Sequence, residues 1–296
     1  MPARENFGIS PALSTPFGGD GRVDTARLHA HAADLIRRGC QSVTVFGTTG
    51  EGPSVGLAER HRAIDALIAA GIPAGKIVSG IISCSPEESI EALSWSLARG
   101  LKASLLAPPF YFRGVDDDSL SAWFEQVFKA AGPKLSGVIL YHIPEMTGVA
   151  LPHAVIGRLK QAFPGAILGV KDSSGDRDHT FRLLKAHGDL TILVGDERYL
   201  GAACAAGASG AICGMGNLLP ERMVRIVQDA KDDPVVQRAV EAIVSLPVIP
   251  AVKAAIGHLR RDAAWNATRP PLAALSQAQL KTLAAALDQV MAEAGR

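Results

Sequence analysis

Ile167-Leu168-Gly169-Val170-Lys171-Asp172-Ser173-Ser174 is a short apolar run that ends on a lysine, an aspartate and two hydroxyls. A run of this length bounded by polar residues reads as a buried parallel strand. Lys171 then stands where a central sheet or barrel opens to solvent. Such a mouth can desolvate an amine and free it to attack a carbonyl carbon. Taken alone, the octapeptide reads more simply as a strand ending on a solvated lysine, so the rest of the chain decides.

Comparable apolar runs recur at Ile9–Leu13, Ser42–Phe46, Ile77–Ile82, Ala103–Ala107, Gly137–Tyr141, Thr191–Val194 and Gly210–Cys213. With Ile167–Lys171 they make eight. The intervals between them carry helical periodicity, as at Asp24–Arg38, where Leu28, Ala32, Leu35 and Ile36 share a face. Leu57–Ala70, Pro86–Arg99, Asp116–Ala131, Leu151–Phe163, Asp176–His187 and Tyr199–Ala206 follow the same pattern. Ser85-Pro86-Glu87-Glu88 places a cap, a proline and two acids at a first turn, and Gly39, Gly71, Gly100 and Gly188 stand where helices should stop. Strict alternation of this kind predicts an α/β fold, a (β/α)8 barrel spanning 1–219. An open doubly wound sheet is the second choice. Residues 220–296 read as the last barrel helix and a helical extension of the same domain, with helices at Pro220–Ala230, Pro234–Ser245, Ile249–Arg260 and Ser276–Ala294.

The 296 residues can bury a large core, and 48% hydrophobic with 20% charged residues suits a compact globule. A net charge of +1 gives no electrostatic reason to expect nucleic acid or an anionic membrane as partner. The N-terminus lacks the apolar stretch of a signal peptide and no run is long enough to span a bilayer, so a cytoplasmic location is expected. Cys40, Cys84, Cys204 and Cys213 are far apart and form no Cys-x-x-Cys, which favours buried thiols over disulfides or zinc. No Gly-x-Ser-x-Gly nucleophile elbow occurs, and no His-x-x-x-His pair suggests a metal, so none is expected.

Barrel enzymes build their sites at the C-terminal ends of the strands. The second run ends in Phe46-Gly47-Thr48-Thr49-Gly50-Glu51-Gly52, the fourth in Pro108-Pro109-Phe110-Tyr111-Phe112, the fifth in Tyr141-His142-Ile143-Pro144 and the seventh in Gly195-Asp196-Glu197. Lys76 and Lys102 precede their strands, and Lys129, Lys160, Lys185, Lys231 and Lys281 fall in helical segments. Lys171 alone follows its strand. A lysine beside a phenol and hydroxyls is equipment for imine chemistry: the amine adds to a 2-oxo acid and a tyrosine shuttles protons. His142 reads as a pocket wall or an acid/base group, and Gly214-Met215-Gly216-Asn217 as a possible anion cup.

Thr48-Thr49-Gly50-Glu51, Leu140-Tyr141-His142-Ile143-Pro144, Gly169-Val170-Lys171-Asp172 and Arg269-Pro270-Pro271-Leu272 together resemble the dihydrodipicolinate synthase / N-acetylneuraminate lyase family. The resemblance runs from Ile9 to the last helix. It implies a (β/α)8 barrel with a helical C-terminal extension, assembled as a homotetramer or dimer of dimers. It also implies Lys171 as the Schiff-base lysine, Tyr141 as the proton-transfer residue and Thr48 as its relay. Thr49 would bind the carboxylate of a pyruvate-like moiety, Gly195 and Ile212 would line its pocket, and Tyr111 would complete the relay of an adjacent subunit. No cofactor is implied beyond the covalent imine on Lys171.

The departures concern substrate. The synthase proper carries an arginine, for the second substrate's carboxylate, where this chain has Met146 in Pro144-Glu145-Met146-Thr147-Gly148. A thioether cannot hold an anion. Asp196 and Glu197 could accept bonds from substrate hydroxyls. The expected activity is therefore a lyase acting on a 2-keto-3-deoxy sugar acid or another 4-hydroxy-2-oxo acid. The alternatives are the synthase itself, a 2-oxo sugar acid dehydratase or decarboxylase, and a non-catalytic 2-oxo acid binding protein.

Overall fold

The computed structural model describes residues 6–294. The chain alternates strand and helix as β1 (Gly8–Pro11), α1 (Thr25–Arg37), β2 (Val43–Val45), α2 (Leu57–Ala69), β3 (Ile77–Ile81), α3 (Pro86–Ala98), β4 (Ala103–Leu106) and α4 (Asp117–Ala131). It continues as β5 (Val138–His142), the single turn α5 (Pro144–Thr147), α6 (His153–Ala162), β6 (Ile167–Asp172), α7 (Arg177–Ala186), β7 (Thr191–Val194), α8 (Leu200–Ala205), β8 (Gly210–Cys213) and α9 (Pro220–Asp229). The tail adds α10 (Pro234–Val244), α11 (Val248–Arg260) and α12 (Gln277–Ala294). All eight expected strands form, within a residue or two of the anticipated bounds.

Strand pairing is parallel throughout, in the order β1-β8-β7-β6-β5-β4-β3-β2. A parallel bridge between Ala12 and Thr44 spans the remaining seam. The barrel is therefore nearly closed, and the open-sheet alternative falls away. Local sequence explains the helix starts. Asp24, Ser85, Asp116 and Asp176 each cap a helix by accepting a backbone N–H from the first turn. Gly39, Gly71 and Gly100 adopt left-handed backbone after α1, α2 and α3, whereas the stop after α7 comes at His187, with Gly188 in the following turn.

Side chains alternate between two apolar layers. Leu105, Ile139, Tyr141, Leu193 and Ile212 fill the barrel, while Leu106, Val138, Leu140, Val170 and Val194 face the surrounding helices. On β6 the alternation is interrupted. The partner of Val138 is Ile167, but the partner of Ile139 is Gly169, so β6 carries one extra residue there. Leu168 packs with the interior cluster, and beyond the bulge Val170 packs outward. The bulge thus turns Lys171 inward, beside Tyr141, its register partner on β5. Without it, uninterrupted alternation from the outward Ile167 would aim Lys171 at the helices. Gly169 permits the bulge, because a Cβ there would lie 2.0 Å from the Thr191 carbonyl oxygen.

Candidate active site

Tyr141 and Lys171 are both buried at the C-terminal end of the barrel, 2% and 5% exposed. The Lys171 ammonium donates to the Tyr141 hydroxyl at 3.2 Å, and that hydroxyl pairs with Thr48 Oγ1, also at 3.2 Å. Lys171 Nζ lies 4.3 Å from the centroid of the Tyr141 ring. The result is a three-member chain, ammonium to phenol to hydroxyl, from β6 through β5 to the turn after β2. A cavity of about 450 Å³ opens onto it. Thr48, Thr49, Tyr141, Met146, Lys171, Gly195, Glu197 and Ile212 all line that cavity, so eight of the nine anticipated residues converge on one space. The ninth, Tyr111, does not line it. It stands 76% exposed after β4, edge-on to the equally open Phe112. Cys84 Sγ accepts from the Phe110 and Tyr111 backbone N–H groups at 3.3 Å each, which ties down the base of that loop. Cys40 and Cys213 are buried, as expected of inert thiols, whereas Cys84 and Cys204 are partly exposed.

The turn carrying Thr48 and Thr49 is backed by a buried ion pair. Phe46 and Glu51 bracket it with left-handed backbone, at φ 57° and 54°. Glu51 accepts from Lys253 of α11 through Oε1 and from the Arg269 backbone N–H at 2.9 Å through Oε2. Both side chains of the pair are fully buried. Burial lowers the Lys253 ammonium from its usual value, against the opposing pull of Glu51. Arg269 forks Glu59 and also caps the Gly21 and Ser54 carbonyls. The tail thereby fixes the threonine turn. Sequence reading assigned no role to Lys253, although it stands alone in the apolar run Val248-Ile249-Pro250-Ala251-Val252-Lys253-Ala254-Ala255-Ile256. A single cation inside such a helix was the available signal.

Three expectations are modified by the structure. His142 does not face the Lys171 cavity, so it is no acid/base group for substrate there; it is a hydrogen-bonded wall of a separate pocket, shared with Leu151, His153 and His179. It follows the inward Tyr141 on its strand and so points out of the barrel. Its Nδ1 accepts from the Leu151 N–H at 3.0 Å, its ring stacks on His179 at 4.3 Å, and burial lowers it to about 4. Period-two alternation was sufficient to place it. Glu197 lines the cavity, but its Oε1 is taken by the Met215 N–H at 2.8 Å and burial raises the carboxyl. Asp196 is forked by Arg198. Asp196 is thus held by the protein, whereas Glu197 is engaged through Oε1 alone and keeps its second oxygen at the cavity. The Gly214–Asn217 stretch is no anion cup, since it forms a three-residue turn whose Met215 N–H serves Glu197 and whose Asn217 amide serves Ala12 and Gly214.

Ligand atoms of His142, Asp172 and His179 lie within 4.8 Å of one another on the outer side of β5 and β6. Their arrangement does not favour a metal. The Leu151 N–H occupies His142 Nδ1, and the two imidazoles are stacked within 19° of parallel, so their in-plane lone pairs diverge. Asp172 is already satisfied. Burial works against its charge, but bonds from His179, the Ser174 N–H and Thr180 outweigh it and hold the carboxyl at about 2.

A barrel with an inward lysine, phenol and hydroxyl at its C-terminal mouth defines a lyase of the Schiff-base aldolase type. Comparison with known proteins agrees. The model of the dihydrodipicolinate synthetase family matches residues 5–290. The chain is 34% identical to an uncharacterized DapA-like lyase of Chloroflexus aurantiacus, over 97% of this chain and 98% of that one. The crystal structure of a dihydrodipicolinate synthase from Agrobacterium tumefaciens is 45% identical, with a TM-score of 0.94 over 96% of this chain and 99% of the other. A prophage protein of the same family from E. coli, solved with pyruvate, is 25% identical, with a TM-score of 0.84 over 96% and 98% of the two chains. The chain belongs to the dihydrodipicolinate synthetase family.

Proposed function

We propose that the protein cleaves or forms the C3–C4 bond of a 4-hydroxy-2-oxo acid through an imine on Lys171, with pyruvate as the keto product or donor. The observation that supports this best is the chain from Lys171 through Tyr141 to Thr48, each link 3.2 Å long. In the cleavage direction the Lys171 amine adds to the C2 carbonyl, and loss of water gives an iminium. The C4 hydroxyl then gives up its proton, the C3–C4 bond breaks, and its electron pair moves into the iminium to leave an enamine. Protonation at C3 and hydrolysis release pyruvate and free the amine. Tyr141, touching both Lys171 and Thr48, is placed to carry the protons, and Thr49 is assigned the substrate carboxylate.

Tyr111 is proposed to complete the proton relay of an adjacent copy in a homotetramer, which accounts for an open tyrosine on a tethered loop. We read residues 220–296 as part of the barrel domain, the protein as cytoplasmic, and the chemistry as needing no cofactor. No single helix among the described residues is long and apolar enough to cross a membrane. The second reading is synthase activity toward an aldehyde bearing a carboxylate. The 45% identical neighbour described as a dihydrodipicolinate synthase favours it. Met146 at the cavity wall, where the synthase has its anion-holding arginine, opposes it.

Enamine formation is testable without knowing the second substrate. In deuterated buffer the enzyme should exchange the methyl protons of pyruvate, followed by NMR, and Lys171→Ala should abolish the exchange. Unchanged exchange in that variant would overturn the proposal.

A further inference from the structure

The cavity at Lys171 has two unlike sides. The side toward the strand ends carries the reacting groups and hydroxyls. The side made by α10, α11 and α5 is lined by Ile243, Val244, Val248, Ile249 and Met146. Val244, Val248 and Met146 are 47%, 46% and 59% exposed, so an apolar strip stands open at the mouth. The tail residues on this wall carry no side-chain donor or acceptor.

Charge at the mouth is equally one-sided. Lys171 and Arg198 are the cations among the lining residues, against Glu145, Asp196 and Glu197. Arg198 is committed to Asp196 through bonds of 2.9 and 2.6 Å, and Lys171 is required for the imine. The lining thus holds three acids against two cations, one of them paired with Asp196, and Glu145, exposed at the rim, would repel a second carboxylate. Asp196 is held by Arg198 and Glu197 offers one unengaged oxygen, so hydroxyls lying along the tail wall, away from that oxygen, would be left unpaired.

Resting on the imine reading above, we infer that the aldehyde half of the substrate is apolar. The substrate class is a 4-hydroxy-2-oxo acid whose C4 carries an aryl or branched alkyl group, and that group lies along Ile243, Val244, Val248 and Met146. The reaction then releases pyruvate and an apolar aldehyde, by the same bond changes and with no further reactant. Neither a polyol nor a carboxylated aldehyde fits the wall as well, which narrows the substrate classes that the fold family brings into view.

The test compares pyruvate release from three 4-hydroxy-2-oxo acids, bearing a phenyl, a dihydroxyethyl and a carboxyl group at C4. Each is run with the wild type and with Val244→Asp and Val248→Asn, both at open positions that tolerate polar side chains. The phenyl compound should lead the other two in kcat/KM by about 100-fold, the effect of burying an aromatic ring against apolar surface. The two variants should each narrow that lead, mainly through KM. A preference for the dihydroxyethyl or carboxyl compound, or an unchanged lead in both variants, would overturn the inference. Pyruvate methyl exchange, run on the same samples, separates the two levels. Exchange without the apolar preference refutes the substrate class alone, and loss of exchange in the wild type refutes the imine reading beneath it.

Discussion

Replacing Lys253 by methionine removes the cation that faces Glu51 while keeping most of the side-chain volume. Both groups are fully buried in the wild type, and Glu51 retains only the Arg269 backbone N–H once the ammonium is gone. Breaking a buried pair from one side leaves an uncompensated charge, which costs about 3–5 kcal/mol. The loss should also reach the active site, because Glu51 anchors the turn that places Thr48 against Tyr141. A displacement of about 1 Å there lowers the rate by about 100-fold. Urea unfolding followed by circular dichroism gives the stability, and pyruvate methyl exchange gives the activity. The second arm is the double variant Lys253→Met with Glu51→Gln, which removes the orphaned charge and should recover about half or more of the stability. A single variant within about 1 kcal/mol of wild type, or a double variant no more stable than the single, would refute the clamp.

Gly169→Ala should destabilise the protein by about 3 kcal/mol, since the new methyl meets the Thr191 carbonyl at 2.0 Å and the bulge that turns Lys171 inward must distort. A wild-type urea midpoint with full exchange activity would contradict that. Tyr141→Phe should leave stability near wild type and slow methyl exchange by about 100-fold to 10,000-fold, the usual worth of a positioned proton carrier. Retention of the wild-type rate would remove Tyr141 from the relay. His31 is buried and lowered from 6.5 to about 4 mainly by desolvation, with its bond to Asn217 opposing. The unfolded chain therefore takes up a proton that the folded chain refuses across that window. The stabilisation is complete above 6.5 and is lost as the pH falls toward 4. At about 1.4 kcal/mol per unit it amounts to about 3 kcal/mol. Between about pH 7 and pH 4.5 the wild-type urea midpoint should drop more steeply than that of His31→Gln. Parallel curves would rule the effect out.

The barrel was legible because its strands, buried on both faces, are written as short unbroken apolar runs between capped amphipathic helices. Most rim residues were legible for the same reason: they lie at or just past the end of such a run, where barrel sites form. Three features were not. Which way Lys171 points depends on one extra residue in β6, and an apolar run of that length reads alike with or without a bulge. The Glu51–Lys253 pair joins positions 202 residues apart, and neither side chain announces its partner. The apolar wall of the cavity comes from α10 and α11, whose valines and isoleucines read as ordinary core until the helices are folded over the barrel mouth. His142 is a different case, since applying alternation to the strand that ends at Tyr141 would have turned it outward.

The imine at Lys171 carries the whole account, and borohydride reduction in the presence of pyruvate tests it most directly. Reduction should leave a single stable adduct, which peptide mass mapping places on Lys171, with loss of activity in proportion to labelling. Lys171→Ala should take up no label. An adduct on another lysine, or full inactivation with none at Lys171, would contradict the account.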